Sequence, residues 1–277
     1  MPARVRSADG TTLAVHDTGG AGPVIVAVHG YPDDHTVWDG LTALLADDCR
    51  VVRYDVRGAG ASDVPATRAG YRMPQLVDDL FAVLDHVGEP VHLLGHDWGS
   101  IQCWPALTDP RARGRITGFT SISGPSLEHA AVWLRGVRRN PRPRLRQLAH
   151  SYYTLLFQLP ALPELAVRRG LIDRAVGPRS HADQANGVNL YRANMFAAMR
   201  SGRPGRIEVP VHVIAPTGDP FVTPPLATEA PRPFVADLRT DLLPGGHWVV
   251  KDDPRPVAAL VRQGLPTGGK DASATDR

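Results

Sequence analysis

The pentapeptide Gly95-His96-Asp97-Trp98-Gly99 constrains this chain more than any other stretch. It follows the apolar run Val91-His92-Leu93-Leu94 and precedes a segment that can be helical, so it reads as a sharp turn from strand to helix. Such a turn needs small residues on both sides and lifts the central side chain into a cleft at a helix N-terminus. Backbone N–H groups there favour negative charge. The central residue is Asp97, a carboxylate that is already a nucleophile without a base to activate it. Attack by a carboxylate on a peptide or simple ester gives an anhydride that mostly reverts. Attack on saturated carbon gives an alkyl ester that water can hydrolyse, which points to strained ethers or alkyl halides as substrates.

The rest of the chain supplies the strands and helices such a turn requires. Residues 4–6 and 13–15 alternate about Ala8-Asp9-Gly10, predicting an antiparallel hairpin. Val24 to Val28 is apolar throughout, as a strand buried on both faces should be. Trp38 to Leu45 has helical spacing, Val51 to Tyr54 reads as a strand, and Met73 to Val87 as an amphipathic helix. A further strand is expected over Ile116 to Ile122, then at 209–214 and 236–243, with a last helix over 256–263. This alternation predicts a mostly parallel, doubly wound α/β sheet. The rhythm breaks between about 125 and 204, where the patterns are helical and no strand is convincing. The expected organisation is therefore a sheet domain over 1–124 and 205–265 with an inserted helical cap over 125–204. Residues 266–277 are small and polar, predicting a disordered tail.

Two further groups complete a hydrolytic set. His247, in Gly245-Gly246-His247-Trp248, lies in a glycine-rich loop after the last strand, and Asp219 lies just past the strand before it. Both fall at strand C-terminal ends, where parallel sheets gather ligands. The order nucleophile, acid, histidine is that of an α/β-hydrolase fold. Asp241, within a strand, and Asp252, after His247, are weaker candidates for the orienting acid. His29-Gly30-Tyr31-Pro32 follows the strand 24–28, so the amides of Tyr31 and Trp98 are expected to form an oxyanion hole. His29 and Pro32 are expected to shape that loop.

His29-Gly30-Tyr31-Pro32, the run from Asp55 to Asp63 and Gly95-His96-Asp97-Trp98-Gly99 together resemble the epoxide hydrolases of the α/β-hydrolase superfamily. The resemblance runs from about residue 4 to residue 263. It implies two ring-opening tyrosines in the cap. The segment 151–158 matches at Tyr153 rather than Tyr152, although Tyr152 stands where the family commonly has tryptophan. The segment 189–194 matches at Tyr191, directly before Arg192. Two phenols suit a departing alkoxide, which they can hydrogen-bond and protonate. The expected reaction opens an epoxide to a vicinal diol through an ester on Asp97. Haloalkane dehalogenases share the Asp turn and are the rival reading, and a small-molecule receptor on this fold is a weaker one.

Composition narrows the partners. The net charge of +3 gives no global reason to bind nucleic acid, and the arginines between 135 and 146 read as a solvated connecting segment. Two cysteines, Cys49 and Cys103, imply no disulfide framework and suit a reducing, cytoplasmic setting. No leader-like or membrane-spanning apolar run is present. The 11 histidines are scattered without the spacing of a zinc helix, so neither metal nor cofactor is expected. The expected partners are an epoxide and water, and a homodimer is compatible with the sequence.

Overall fold

A computed structural model describes residues 1–138, 140–200 and 204–265. Eight strands form one sheet: β1 (Ala3–Arg6), β2 (Thr12–Asp17), β3 (Val24–Val28), β4 (Arg50–Tyr54), β5 (Val91–His96), β6 (Ile116–Ile122), β7 (Val211–Pro216) and β8 (Leu238–Leu243). Their order across the sheet is β1-β2-β4-β3-β5-β6-β7-β8. The pairs β1–β2 and β2–β4 are antiparallel, and every other pair is parallel. The mostly parallel, doubly wound sheet expected from the sequence is therefore present.

The central strands show why the apolar runs are continuous. All five residues of β3 are buried. Val24, Val26 and Val28 join one core, while Ile25 and Ala27 join another on the opposite face. Side chains alternate across a strand, so a strand covered on both faces needs apolar residues at every position. One face is covered by α2 (Met73–Val87), given that α1 is Asp39–Leu45, and by α3 (Trp98–Ala106). The other is covered by α1 and by the C-terminal helices described below. In α2 the buried residues include Leu76, Leu80, Val83, Leu84 and Val87, the stripe read from the sequence.

Between β6 and β7 the described residues contain helices and no strand: α4 (Leu127–Arg135), α5 (Pro141–His150), α6 (Tyr152–Leu156), α7 (Leu162–Arg168), α8 (Asp173–Val176) and α9 (His181–Arg200). The sheet resumes with α10 (Pro224–Glu229), α11 (Val249–Asp252) and α12 (Pro254–Gly264) around β8. Several boundaries differ from the sequence expectation. β2 extends to Thr12 and Asp17 because both β1 and β4 offer it backbone partners. β8 begins at Leu238 rather than 236, since the Ala236 amide donates instead to the Ile207 carbonyl. The last helix starts at Pro254, where a proline fits the first turn. Arg139 of the arginine-rich stretch and the expected tail 266–277 lie outside the described residues. Among those described, no helix is long and apolar enough to cross a membrane.

The loop from Asp55 to Asp63 is fixed by burial of a guanidinium. Arg57 is fully buried and donates Nε and Nη2 to the two oxygens of Asp79, each at 2.6 Å. Such a fork satisfies both charges geometrically, and removing one partner of a buried pair typically costs about 3–5 kcal/mol.

Candidate active site

Asp97 joins β5 to α3 with φ 50° and ψ −124°. That conformation is strained for a side chain with a Cβ, at roughly 1–3 kcal/mol, and it persists because close packing leaves no alternative. A Cβ on Gly95 would come within 2.5 Å of the Ser100 Cα, and one on Gly99 would collide with the Val28 carbonyl. The helix entry is thereby pressed onto β3 until the loop after β3 meets Asp97. Gly30 in that loop has room for no more than hydrogen, since its Cβ would lie 2.5 Å from Asp97 Oδ1 and 2.6 Å from the Trp98 nitrogen. The result is a donated hydrogen bond from the Tyr31 amide to Asp97 Oδ1 at 2.8 Å.

The loop itself is braced by His29. The Val56 amide donates to His29 Nε2 at 2.9 Å, which leaves the proton on Nδ1 to donate to the Gly30 carbonyl at 3.0 Å. Pro32 is buried and follows Tyr31 through a cis peptide bond.

The second carboxylate oxygen of Asp97 faces a histidine. His247 Nε2 lies 3.6 Å from Asp97 Oδ2, and His247 Nδ1 lies 2.9 Å from Asp219 Oδ2. The other oxygen of Asp219 accepts from the amides of Phe221 at 2.8 Å and Val222 at 3.1 Å. Burial alone would push Asp219 up, but the charge and hydrogen bond of His247 and these two amides hold it below the ordinary carboxylate value. Burial likewise works against a charged His247. The carboxylates of Asp219 and then Asp97 outweigh it, so the imidazole holds its proton to higher pH than usual. Asp241 and Asp252 are elsewhere: Asp241 pairs with His212 at 2.7 Å and Arg239 at 2.9 Å, and Asp252 ends α11.

Tyr153 on α6 and Tyr191 on α9 close the opposite side, their ring centroids 5.9 Å apart. Tyr191 is buried, its ring 4.9 Å from that of Trp98. Their placement follows from their motif neighbours. Gln158 donates to the Tyr191 carbonyl at 3.3 Å, and Arg192 donates to the Phe157 carbonyl at 2.9 Å and pairs with Glu164 at 2.5 Å. The two tyrosine segments are thus stapled to each other. Burial, with the Asp97 charge adding to it, pushes both phenols well above the ordinary tyrosine value, so both remain donors. Tyr152 turns outward, 64% exposed at the rim.

These groups surround a cavity of about 510 Å³ whose remaining walls are mainly apolar, among them Leu156, Phe157, Ile172 and Phe221. A carboxylate oxygen, an imidazole and two protonated phenols therefore meet in a space that favours apolar molecules. Such a set can alkylate the carboxylate, stabilise an oxygen leaving group and activate water.

Three supporting contacts had escaped the sequence reading. His96 Nε2 donates to the His247 carbonyl at 2.8 Å from inside the strand-to-helix turn. Gln147 on α5 donates to the Phe221 carbonyl and accepts from the Thr223 amide, both at 2.8 Å, steadying the loop that bears Asp219. Asp33 accepts from the Trp248 indole at 2.7 Å and from Arg179 at 2.6 Å, joining the Tyr31 loop, the His247 loop and the segment before α9. None of the three leaves a signal in a single sequence, because each acts through a partner far along the chain.

Comparison with known proteins adds a lineage to this geometry. A family described as alpha/beta hydrolase fold matches residues 23–254. The chain is 39% identical over 293 residues to "Probable oxidoreductase EphD" of Mycobacterium tuberculosis, covering 94% of this chain and 49% of that protein. It thus spans about half the length of such a curated relative. It is 25% identical over 272 residues to "Epoxide hydrolase 3" of Xenopus tropicalis, covering 88% of this chain and 71% of that one. A solved structure described among novel epoxide hydrolases from metagenomes of hot environments superposes with a TM-score of 0.79 at 23% identity, covering 95% and 97% of the two chains. At that identity the likeness is one of fold.

Proposed function

The chain belongs to the alpha/beta hydrolase fold family, and from that premise we propose that it hydrolyses epoxides to vicinal diols through an ester on Asp97. The reading rests above all on two protonated phenols, Tyr191 buried and Tyr153 half-buried, placed across an apolar cavity from a carboxylate. Relatives named epoxide hydrolases support it. In this proposal residues 125–204 act as a cap over a sheet domain formed by 1–124 and 205–265.

The hydrogen bonds divide the labour between the two oxygens of Asp97. Oδ1 is already held by the Tyr31 amide, so Oδ2, facing the cavity and His247, is the attacking atom. It forms a bond to an epoxide carbon as the C–O bond on the far side breaks. Tyr153 and Tyr191 hydrogen-bond the departing oxygen and supply the proton that turns the alkoxide into the first hydroxyl, and solvent restores that proton. The ester carbonyl is then Oδ1, still at the Tyr31 amide with the Trp98 amide beside it. Water adds to this carbonyl after losing a proton to His247, and the tetrahedral oxyanion is held by the two amides. Collapse expels the diol oxygen, which takes the proton back from His247, and the carboxylic acid left on Asp97 then passes its proton to the imidazole, restoring the resting pair.

The same electrostatics time the second step. While Asp97 is ionised, two carboxylates keep His247 protonated. Ester formation removes one of those charges, which favours the neutral imidazole that water activation needs. Haloalkane dehalogenation would use the same carboxylate and histidine, and requires a halide donor rather than paired phenols. Cys49 and Cys103 are free and buried, which supports placing the protein in a reducing cytoplasm.

The deciding assay offers aryl and aliphatic epoxides beside bromoalkanes to the purified protein, with Asp97→Ala as the blank. Diol formation without halide release is the expected result. Halide release without diol would replace epoxide opening with dehalogenation, and silence from both would favour a receptor.

A further inference from the structure

Large apolar side chains left in contact with water gather on one part of this molecule. Of the thirteen that are exposed among the described residues, nine fall between residues 145 and 171, and eight of those nine are leucine. They come from α5, α6, α7 and the turns that follow them. Single surface leucines are ordinary, but a group of them marks a place of contact. The group also surrounds the way into the site. Tyr152, Leu156, Leu162 and Leu171 are exposed and line the cavity of about 510 Å³ as well, so its mouth opens through them.

The charge among these leucines is mainly of one sign. Between residues 141 and 176 there are six arginines and two acids, Glu164 and Asp173. Both acids are engaged elsewhere, Glu164 with Arg192 at 2.5 Å and Asp173 with His181 at 2.9 Å. On α5, Gln147 turns inward to bond the loop 221–223. That leaves Arg142, Leu145, Arg146 and Leu148 on the outward half of the helix, where all four are exposed. Arg168 and Arg169, at the end of α7, stand a turn away from Leu165, and Arg174 lies on α8. These three are exposed too.

We propose that this face docks on an anionic phospholipid bilayer, its leucines entering the headgroup boundary and its arginines binding lipid phosphates. Leucine bordered by arginine is the composition of helices that lie in a membrane interface. An arginine can keep its stem among apolar groups while its guanidinium reaches a phosphate. A protein partner fits less well. The anchors of protein interfaces are chiefly Trp, Tyr and Arg, with leucine under-represented, and a protein seated here would stop the cavity mouth. A second copy of this chain is disfavoured by symmetry, since a self-complementary contact would set arginines against arginines. A bilayer instead leaves the mouth facing the phase in which apolar molecules dissolve. Supply of epoxide from that phase rests on the proposed function, whereas docking itself does not. The leucines are spread over three short helices and their turns, so no helical period displays the face in the sequence.

The test sediments the full chain with phosphatidylcholine vesicles prepared with and without phosphatidylserine. The expected result is pelleting with the anionic vesicles, weakened by added salt, and little with phosphatidylcholine alone. The double variants Leu145→Ser with Leu148→Ser, and Arg142→Glu with Arg146→Glu, should each lose it. One arginine near an anionic surface is worth roughly fivefold in partitioning, so reversing two should weaken binding by about 25-fold or more. None of the four residues lines the cavity, so both variants should keep native circular dichroism and native turnover of a dissolved epoxide. Absence of turnover from native and variants alike would remove the proposed function and leave docking standing. Native protein that stays in solution beside anionic vesicles, equal pelleting with both kinds, or variants that pellet as native protein does would overturn the proposal. A native dimer that forms without pelleting, and that the leucine variant cannot form, would assign the face to a second copy instead.

Discussion

Asp97 and Tyr153 face the same cavity but are held in opposite ways. Asp97 is locked between β5 and α3, with glycines beside it whose Cβ atoms would strike neighbouring backbone. Tyr153 stands on the five-residue helix α6, none of whose residues is buried. Exposed large apolar side chains concentrate around it, among them Leu145, Leu148, Leu155, Leu159 and Leu165. On the carboxylate side, position is dictated by backbone that cannot move without breaking the sheet. On the phenol side, it depends on a few side-chain staples such as Gln158 and Arg192. The sheet side is thus built to repeat one chemistry, and the helical side to be adjusted for the molecule it admits.

That contrast is broken most severely by removing the nucleophile or its base. Asp97→Ala should reduce epoxide turnover by roughly 10⁴-fold or more. His247→Gln should leave the first step and stop the second, so intact-mass spectrometry after one addition of epoxide should show protein heavier by one substrate, with the label on Asp97. Unmodified protein together with full turnover would remove the ester from the mechanism. A subtler attack on the same side is Gly30→Ala. Its methyl group would lie 2.5 Å from Asp97 Oδ1 and displace the Tyr31 amide. Loss of one such donor costs about 10²–10³ in kcat, and near-native kcat would show that the loop yields more readily than its packing implies.

The phenol side should respond through chemistry alone. Tyr153→Phe and Tyr191→Phe should each lower kcat by about 10²-fold, the lower range for a proton donor. Their melting temperatures should stay close to native, because only a hydroxyl is removed and no backbone is displaced. A loss of stability comparable to the loss of rate would make these tyrosines packing groups and return attention to halide substrates.

How legible each side is in the sequence follows from the same physics. Gly95, Gly99 and Gly30 are demanded by close backbone approach, so the turn and the Tyr31 loop carry a pattern that a single sequence reveals. β3, β5 and β6 are buried on both faces and spell themselves out as apolar runs. By contrast, α6 and α8 are too short for a helical period to register. Tyr153 and Tyr191 were found by resemblance, not by periodicity. His96, Gln147 and Asp33 act through partners 151, 74 and up to 215 residues away, and no local rule predicts such distant pairs.

Acidity separates the two sides further. His247 is raised above its ordinary 6.5 in the folded protein, so its stabilising contribution is complete below about that pH and is lost as pH rises through the folded value. Asp219 is lowered below 3.8, so its contribution is complete above that pH and is lost as pH falls through the folded value. Both phenols stay protonated beyond their ordinary 10.0 and contribute no change over this range. The difference in melting temperature between native protein and His247→Gln should therefore narrow steadily as pH is raised above 6.5. The gap for Tyr153→Phe should stay flat. A flat response for His247→Gln would mean that the imidazole is neutral in the resting protein.

The smallest effect should come from Tyr152→Phe, and it isolates the helical side from its neighbours in sequence. Tyr152 and Tyr153 are adjacent phenols on one short helix, and their rings meet edge to face with centroids 6.4 Å apart. They differ in direction: Tyr152 is 64% exposed, whereas burial and the Asp97 charge act on Tyr153. A solvated phenol gives up little when its hydroxyl is removed, since water already satisfied it. Tyr152→Phe should therefore hold kcat within about twofold while Tyr153→Phe loses about 100-fold. A modest change in KM for bulky epoxides is allowed, because Tyr152 lines the cavity rim. Reversal of that order would require α6 to turn by about 100° per residue step, bringing Tyr152 inward. A helix with no buried residue could make that motion, but the strand-to-helix turn at Asp97 could not.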